Sequence, residues 1–131
     1  MSARVSIEVP GLKHDNPIPA ACRIGPFLVS SVISPKDSDG KVPDGLDAQC
    51  RQVFDNLKAL LAAAGAAPEQ VIKLTVWLKD RSLRPHVNKF WLELFPDPHS
   101  RPARHTFSAP DLPEPQLVQM EVMAVLTEPK S

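Results

Sequence analysis

At 131 residues the chain has the size of one domain that buries a core without staples, and a single unit over 1–131 is expected. Fifteen Lys and Arg balance fifteen Asp and Glu, and neither sign forms a run, so the basic stripe demanded by a nucleic-acid backbone is missing. No segment approaches membrane-spanning length, and the N-terminus alternates polar and apolar residues, so a soluble cytoplasmic protein with no nucleic-acid or membrane partner is expected.

Val5, Ile7 and Val9 alternate with Arg4, Ser6 and Glu8, the period-two pattern of an edge-type strand with one buried face, ended by Pro10-Gly11. Residues 10–20, with Pro10, Pro17 and Pro19, read as irregular chain. A second strand is predicted over 27–33 after the turn at Gly25-Pro26, and its Ser30-Ser31 pair leaves room for a close approach to the backbone. Residues 34–43, centred on Asp39-Gly40, form a loop.

Over 44–65 the apolar positions Leu46, Cys50, Val53, Leu57, Leu60, Leu61 and Ala64 recur at three- and four-residue steps, which predicts an amphipathic helix. Asp44 suits its N-cap, and Gly65 the left-handed position that releases the chain. Residues 71–79 alternate as a central strand, with Ile72, Leu74, Val76 and Leu78 on one face and Val71, Lys73, Thr75, Trp77 and Lys79 on the other. Asp80 or Ser82 caps a shorter helix carrying Pro85 in its first turn and Val87, Phe90, Trp91 and Leu94 on its inner side, before Phe95-Pro96-Asp97-Pro98 stops it. Residues 103–108 and 116–127 supply the last two strands.

The tally is five strands and two helices in the order ββαβαββ, an α+β fold with a mixed sheet and both helices on one face. The last strand is apolar on both sides, with Val118, Met120, Val122, Ala124 and Leu126 on one and Leu117, Met123 and Val125 on the other. Two helices cover only one side. The bare face implies a homo-oligomer that buries it, with Trp77 and Met123 in the interface.

One arrangement suggests chemistry. An antiparallel return centred near Leu112 would set Arg104 almost opposite Glu121. The planar donor fork of an arginine matches a carboxylate, and a nearby carboxylate orients or deprotonates a water. Taken alone, the pair is more simply a cross-strand ion pair contributing roughly 0.2–1 kcal/mol. Other templates fit poorly: His14, His86, His99 and His105 lack ligand spacing and read as single surface or loop residues, and Cys22 and Cys50 read as reduced core residues. There is no glycine-rich phosphate cradle, Ser30-Ser31 has no identifiable base, and Arg101 reads as an exposed loop arginine rather than a second anion contact.

Several ordered stretches carry a resemblance across residues 16–125. They are the strand Phe27 to Ser31 before Asp39-Gly40-Lys41-Val42-Pro43, Gln49 with Asn56 and Leu57, Ala63-Ala64-Gly65, Val71-Ile72-Lys73 through Lys79-Asp80, Val87-Asn88, Pro102-Ala103-Arg104, and Val118-Gln119-Met120-Glu121. With these the chain resembles the RidA (YjgF) family of small trimeric proteins, members of which hydrolyse reactive enamine and imine intermediates released by pyridoxal-phosphate enzymes. The resemblance implies a chorismate-mutase-like sheet backed by two helices, closed into a barrel by three subunits, with sites between subunits.

It also implies a cofactor-independent deaminase of the 2-iminobutanoate/2-iminopropanoate type acting in metabolite damage control on a small imino or carboxylic acid. Arg104 would clamp the substrate carboxylate and Glu121 would position the attacking water. Ser31 would offer its backbone N–H, and Thr106 main-chain groups beside the arginine. Asn88 also matches, although a helix asparagine more simply holds a neighbouring loop. Two departures mark a divergent member. Ile18 stands where a pocket tyrosine is common, in a chain with no tyrosine, and Ser31 stands where glycine is common. The alternatives are a noncatalytic trimeric binder of small carboxylic metabolites and a pathway-specific deaminase of a larger unsaturated amino acid.

Overall fold

A computed structural model describes residues 3–127. Six strands make one mixed sheet: β1 (Arg4–Ile7), β2 (Ala21–Ile24), β3 (Phe27–Ser30), β4 (Val71–Leu78), β5 (Ala103–Ser108) and β6 (Val118–Val125), in the spatial order β1-β2-β3-β6-β4-β5. Two helices, α1 (Leu46–Ala64) and α2 (Arg84–Leu94), supply the covering layer. The expected order ββαβαββ thus gains a strand. Ala21-Cys22-Arg23-Ile24 has no clean alternation, and its pairing with both β1 and β3 is what makes it a strand. The expected strand over 27–33 stops at Ser30, and Ile33 makes only an isolated bridge to Met120.

The apolar stripe of α1 is as expected, with Cys50, Val53, Leu57, Leu60 and Leu61 buried. Its start is not: Gly45 occupies the N-cap and no side chain caps the helix, so Asp44 lies one residue too early. Gly65 takes the left-handed conformation at φ 75°, which only glycine adopts without a steric penalty, and its N–H returns to the carbonyl of Ala62. Asp80 accepts from the Ser82 N–H and so caps a short 3-10 turn, Arg81–Leu83, that leads into α2 with Pro85 in its first turn.

The β4–α2–β5 segment fixes the topology. A crossover through a helix returns the chain parallel to the strand it left, and β5 pairs with β4 in parallel, Leu74 opposite Arg104 and Val76 opposite Thr106. The connection over 109–117 then carries the chain across the end of β4. There Ala109 donates to the Leu78 carbonyl at 2.7 Å and Lys79 to the Leu117 carbonyl at 3.0 Å. Strand β6 enters antiparallel between β3 and β4. The expected direct return of 103–108 onto 116–127 is therefore incorrect, because β4 lies between the two strands.

Leu28, Leu74, Val76, Leu78, Val118, Met120 and Val122 pack with Val53, Leu57, Leu60, Val87 and Phe90 in one core. A register shift between Val71 and Lys73 exchanges the first two residues of β4: Val71 is buried and Ile72 is 50% exposed, the reverse of strict alternation. The opposite sheet face carries Phe27, Val29 and Met123, all exposed, with Trp77 stacked on Phe107 and Phe107 on His105. Cys22 pairs in register with Val29 and is only partly buried, so it is not the core residue expected. In Cys50, by contrast, burial first and the Asp47 charge second push the thiol up to about 12, which makes it inert.

Two buried amides pin the loops. Gln49 donates to the carbonyls of Pro43 and Pro115, each at 3.0 Å, and accepts from the Leu117 N–H at 2.7 Å. Asn56 donates to the carbonyls of Ser34 and Lys36 at 2.8 Å. The polar contacts joining α1 to α2, the ion pairs Arg51–Glu93 at 3.2 Å and Lys89–Asp47 at 3.4 Å and the His86–Asp47 hydrogen bond at 2.7 Å, lie at the surface and contribute little beside the apolar contact. Leu57 is fully buried, and Leu57→Ala is expected to cost about 2–5 kcal/mol in chemical denaturation, with the slope against denaturant unchanged.

Candidate functional site

Arg104 lies on an open strand edge beneath a helix. Because β5 pairs only with β4 among the described residues, its outer edge is free of them, and because Arg104 is level with the buried Leu74 its side chain points to the helix face. There Nη2 donates to Asn88 Oδ1 at 2.7 Å and the guanidinium lies 4.9 Å from the centre of the Trp91 ring. Asn88 and Trp91 are three residues apart on α2 and so share a face. The expectation that Asn88 holds a loop gives way to a specific role: it holds the arginine.

Burial first, and the charge of Arg84 second, hold the Arg104 guanidinium below the usual arginine value. Among the described residues no carboxylate pairs with it. A half-buried cation oriented by a neutral amide and an aromatic ring keeps most of its N–H donors unused, in a planar fork whose geometry matches a carboxylate. Thr106 lies on the same face two residues on. Since Ala109 donates inward to Leu78, alternation along a parallel strand turns the main-chain groups of Arg104, Thr106 and Ser108 outward, beside the guanidinium.

Glu121 is elsewhere. It stands level with Thr75, which in turn stands level with His105, so its side chain is on the bare face of the sheet. Two strand spacings, about 10 Å, separate its backbone from that of Arg104, and the side chains leave on opposite faces. The expected opposition of Arg104 and Glu121 is therefore incorrect within one protomer. Glu121 is part-buried and, among the described residues, its side chain has no hydrogen-bond or ion-pair partner.

The remaining expected residues divide. The Ser31 N–H, expected to meet a substrate, is given to the Ala20 carbonyl at 2.9 Å, and its hydroxyl donates to the Pro19 carbonyl at 2.7 Å. Ile18 is 46% exposed on an open groove formed by the 8–19 segment. A neighbouring cleft of about 280 Å³ is bordered by Lys13, Asn16, Val32, Ser34 and Gln119. Neither hollow includes Arg104 or Glu121. Arg101 is not a free loop arginine, because it donates to the carbonyls of Phe95 and Pro96 and braces the end of α2.

Among the described residues no group of three or more His, Cys, Asp or Glu is placed to hold a metal, and no helix is long and apolar enough to cross a membrane. Sequence reasoning passed over Trp91 as the platform under Arg104, assigning it only to the core. The spacing of 88 and 91 carried that signal once Asn88 had been singled out.

A six-stranded mixed sheet with two helices on one face and an arginine at its open parallel edge defines a chorismate-mutase-like α+β protein. The family model described as endoribonuclease L-PSP matches residues 11–126, and the chain belongs to that family, the RidA (YjgF) family. A RutC family protein of Pyrococcus horikoshii is 36% identical over 114 residues, 86% of this chain and 89% of that protein. The 2-iminobutanoate/2-iminopropanoate deaminase of Escherichia coli K12 is 32% identical over 117 residues, covering 81% and 91% of the two chains. A crystal structure of a protein of unknown function of the conserved Rid family from Yersinia pestis superposes with a TM-score of 0.87 at 28% identity, over 95% of this chain and 100% of that one.

Asn88→Ala removes the acceptor that orients Arg104. Chemical denaturation of the variant is expected to show stability lowered by about 1 kcal/mol, the net worth of one hydrogen bond, with the circular dichroism unchanged.

Proposed function

We propose that the chain hydrolyses imines of 2-oxo acids, and the enamines that tautomerise to them, without a cofactor. Water adds to the imine carbon, the carbinolamine loses its nitrogen as ammonia, and a 2-oxo acid remains. The observation that carries this proposal is the half-buried Arg104, held by Asn88 and Trp91 with no carboxylate of its own. The likeness to the E. coli deaminase adds support.

In this mechanism Arg104 binds the substrate carboxylate through paired N–H donors, and the outward main-chain groups of Thr106 orient it. Glu121 orients the water and moves protons between it and the departing nitrogen. The two side chains face away from each other in one protomer, so the Glu121 that serves an Arg104 belongs to a neighbouring copy. Packing the bare face of one protomer against the β5 edge of the next would cover Phe27, Val29 and Met123 and complete the site in the same step. A homotrimer with three shared sites is the assembly proposed.

The chain departs from the deaminase pattern at Ile18, which offers no hydroxyl, and at Ser31, whose amide and hydroxyl are both engaged within the chain. Those departures favour a substrate larger than the smallest imino acids. They also motivate a second reading, a noncatalytic binder of small carboxylic metabolites. The endoribonuclease description of the family model finds no support in a chain of fifteen basic and fifteen acidic residues.

With imines made in situ by an amino-acid oxidase, Arg104→Ala is expected to abolish accelerated decay while the protein stays folded. Turnover at the unmodified rate would end the proposal. Glu121→Gln separates the two readings: retained binding of a 2-oxo acid with hydrolysis slowed at least about a hundredfold marks an enzyme, whereas a binder never accelerates decay at all. Met123→Glu is expected to shift the protein to monomers in sedimentation and to remove activity with them, because a charge buried without a partner on the covered face opposes assembly.

A further inference from the structure

The stripe of α2 that holds Arg104 begins one turn earlier. Arg84, Asn88 and Trp91 follow one another at four- and three-residue steps and so line one face of the helix, the face toward the free edge of β5. Arg84 is exposed, and among the described residues its side chain has neither a hydrogen bond nor an ion pair. Its charge is felt at Arg104 as the second cause of that group's lowered value. Acids on the neighbouring elements are engaged elsewhere: Asp80 with Ser82, Glu93 with Arg51, Asp47 with His86 and Lys89, and Glu114 with Lys79. Two like charges therefore lie along one helix stripe, and among the described residues no carboxylate pairs with either.

We propose that Arg84 is a specificity-determining residue that binds a second acidic group on the substrate side chain, so that the site prefers imines of 2-oxo diacids over those of monoacids. This rests on the assignment of the α-carboxylate to Arg104. Four residues of helix separate Arg84 from the anchor of Arg104 by about 6 Å of rise, comparable with the reach between the two acids of a four- or five-carbon diacid. The distal acid takes no part in bond making: water oxygen still becomes the keto oxygen and the imine nitrogen still leaves as ammonia. Arg84 sets which side chain is welcome, and Asn88 and Trp91 between the two arginines fix their separation.

The test compares decay of imines generated from aspartate and glutamate with those generated from alanine and 2-aminobutanoate, alongside calorimetric titrations of the corresponding 2-oxo acids. Wild-type protein is expected to favour the diacids in kcat/KM and in affinity. Arg84→Gln is expected to lower the diacid-to-monoacid ratio by about fivefold, as suits an exposed charge pair, and Arg84→Lys to restore most of it. A ratio unchanged in Arg84→Gln overturns the inference, as does a wild type that prefers monoacids. If no imine is hydrolysed yet diacids bind with the expected dependence on Arg84, the inference stands and the deaminase assignment falls.

Discussion

The helical crossover between β4 and β5 is the constraint on which the site depends. Chain leaving the end of β4 through α2 must come back parallel, and the only free place beside β4 on that side is the sheet edge. That single connection sets Arg104 under α2, and the 109–117 segment, by crossing the end of β4, takes the following strand to its far side and leaves the outer backbone groups of β5 unpaired. Glu121 consequently emerges on the face away from the helices. A functional group assembled from both residues has to be built across protomers, and the chain's own topology imposes that requirement before any assembly is considered.

The electrostatics follow from the same placement. A guanidinium half removed from water loses hydration, and here the loss is met by an amide oxygen and an aromatic face, neither of which cancels its charge. The result is a cation held in position with its attraction for anions intact, which differs from a structural arginine such as Arg101, whose donors are spent on the Phe95 and Pro96 carbonyls. Glu121 is the complementary case: it stands level with Thr75 on the bare sheet face, part-buried, and among the described residues its side chain has no partner.

Much of the fold could be read from residue spacing, and the failures have local causes. The stripe from Leu46 to Ala64 was legible because helical burial repeats every three or four residues, and the apolar character of both sides of β6 correctly exposed a bare sheet face. Strand β2 was invisible because Ala21 and Cys22 are small and Arg23 faces water, so pairing and not pattern defines it. The bulge beside Ile72 inverted the first residues of β4, as one extra residue does in any period-two reading. Arg104 was found, but its neighbour was misjudged: a loop rich in proline between two strands looks like a hairpin, and nothing in residues 109–117 announces that it passes over a third strand. Trp91 was recognised as apolar and assigned to the core, which hid its upper face from consideration.

Gln49 links parts of the chain that are far apart in sequence. One side chain on α1 holds a carbonyl before the helix and both a carbonyl and an amide ahead of β6, so the connections flanking that end of the sheet cannot shift separately without breaking a bond in a dry setting. Mechanically they behave as one plate riveted at a single point. Softening of that end on heating is therefore shared by segments more than sixty positions apart along the polypeptide, instead of spreading from loop to loop.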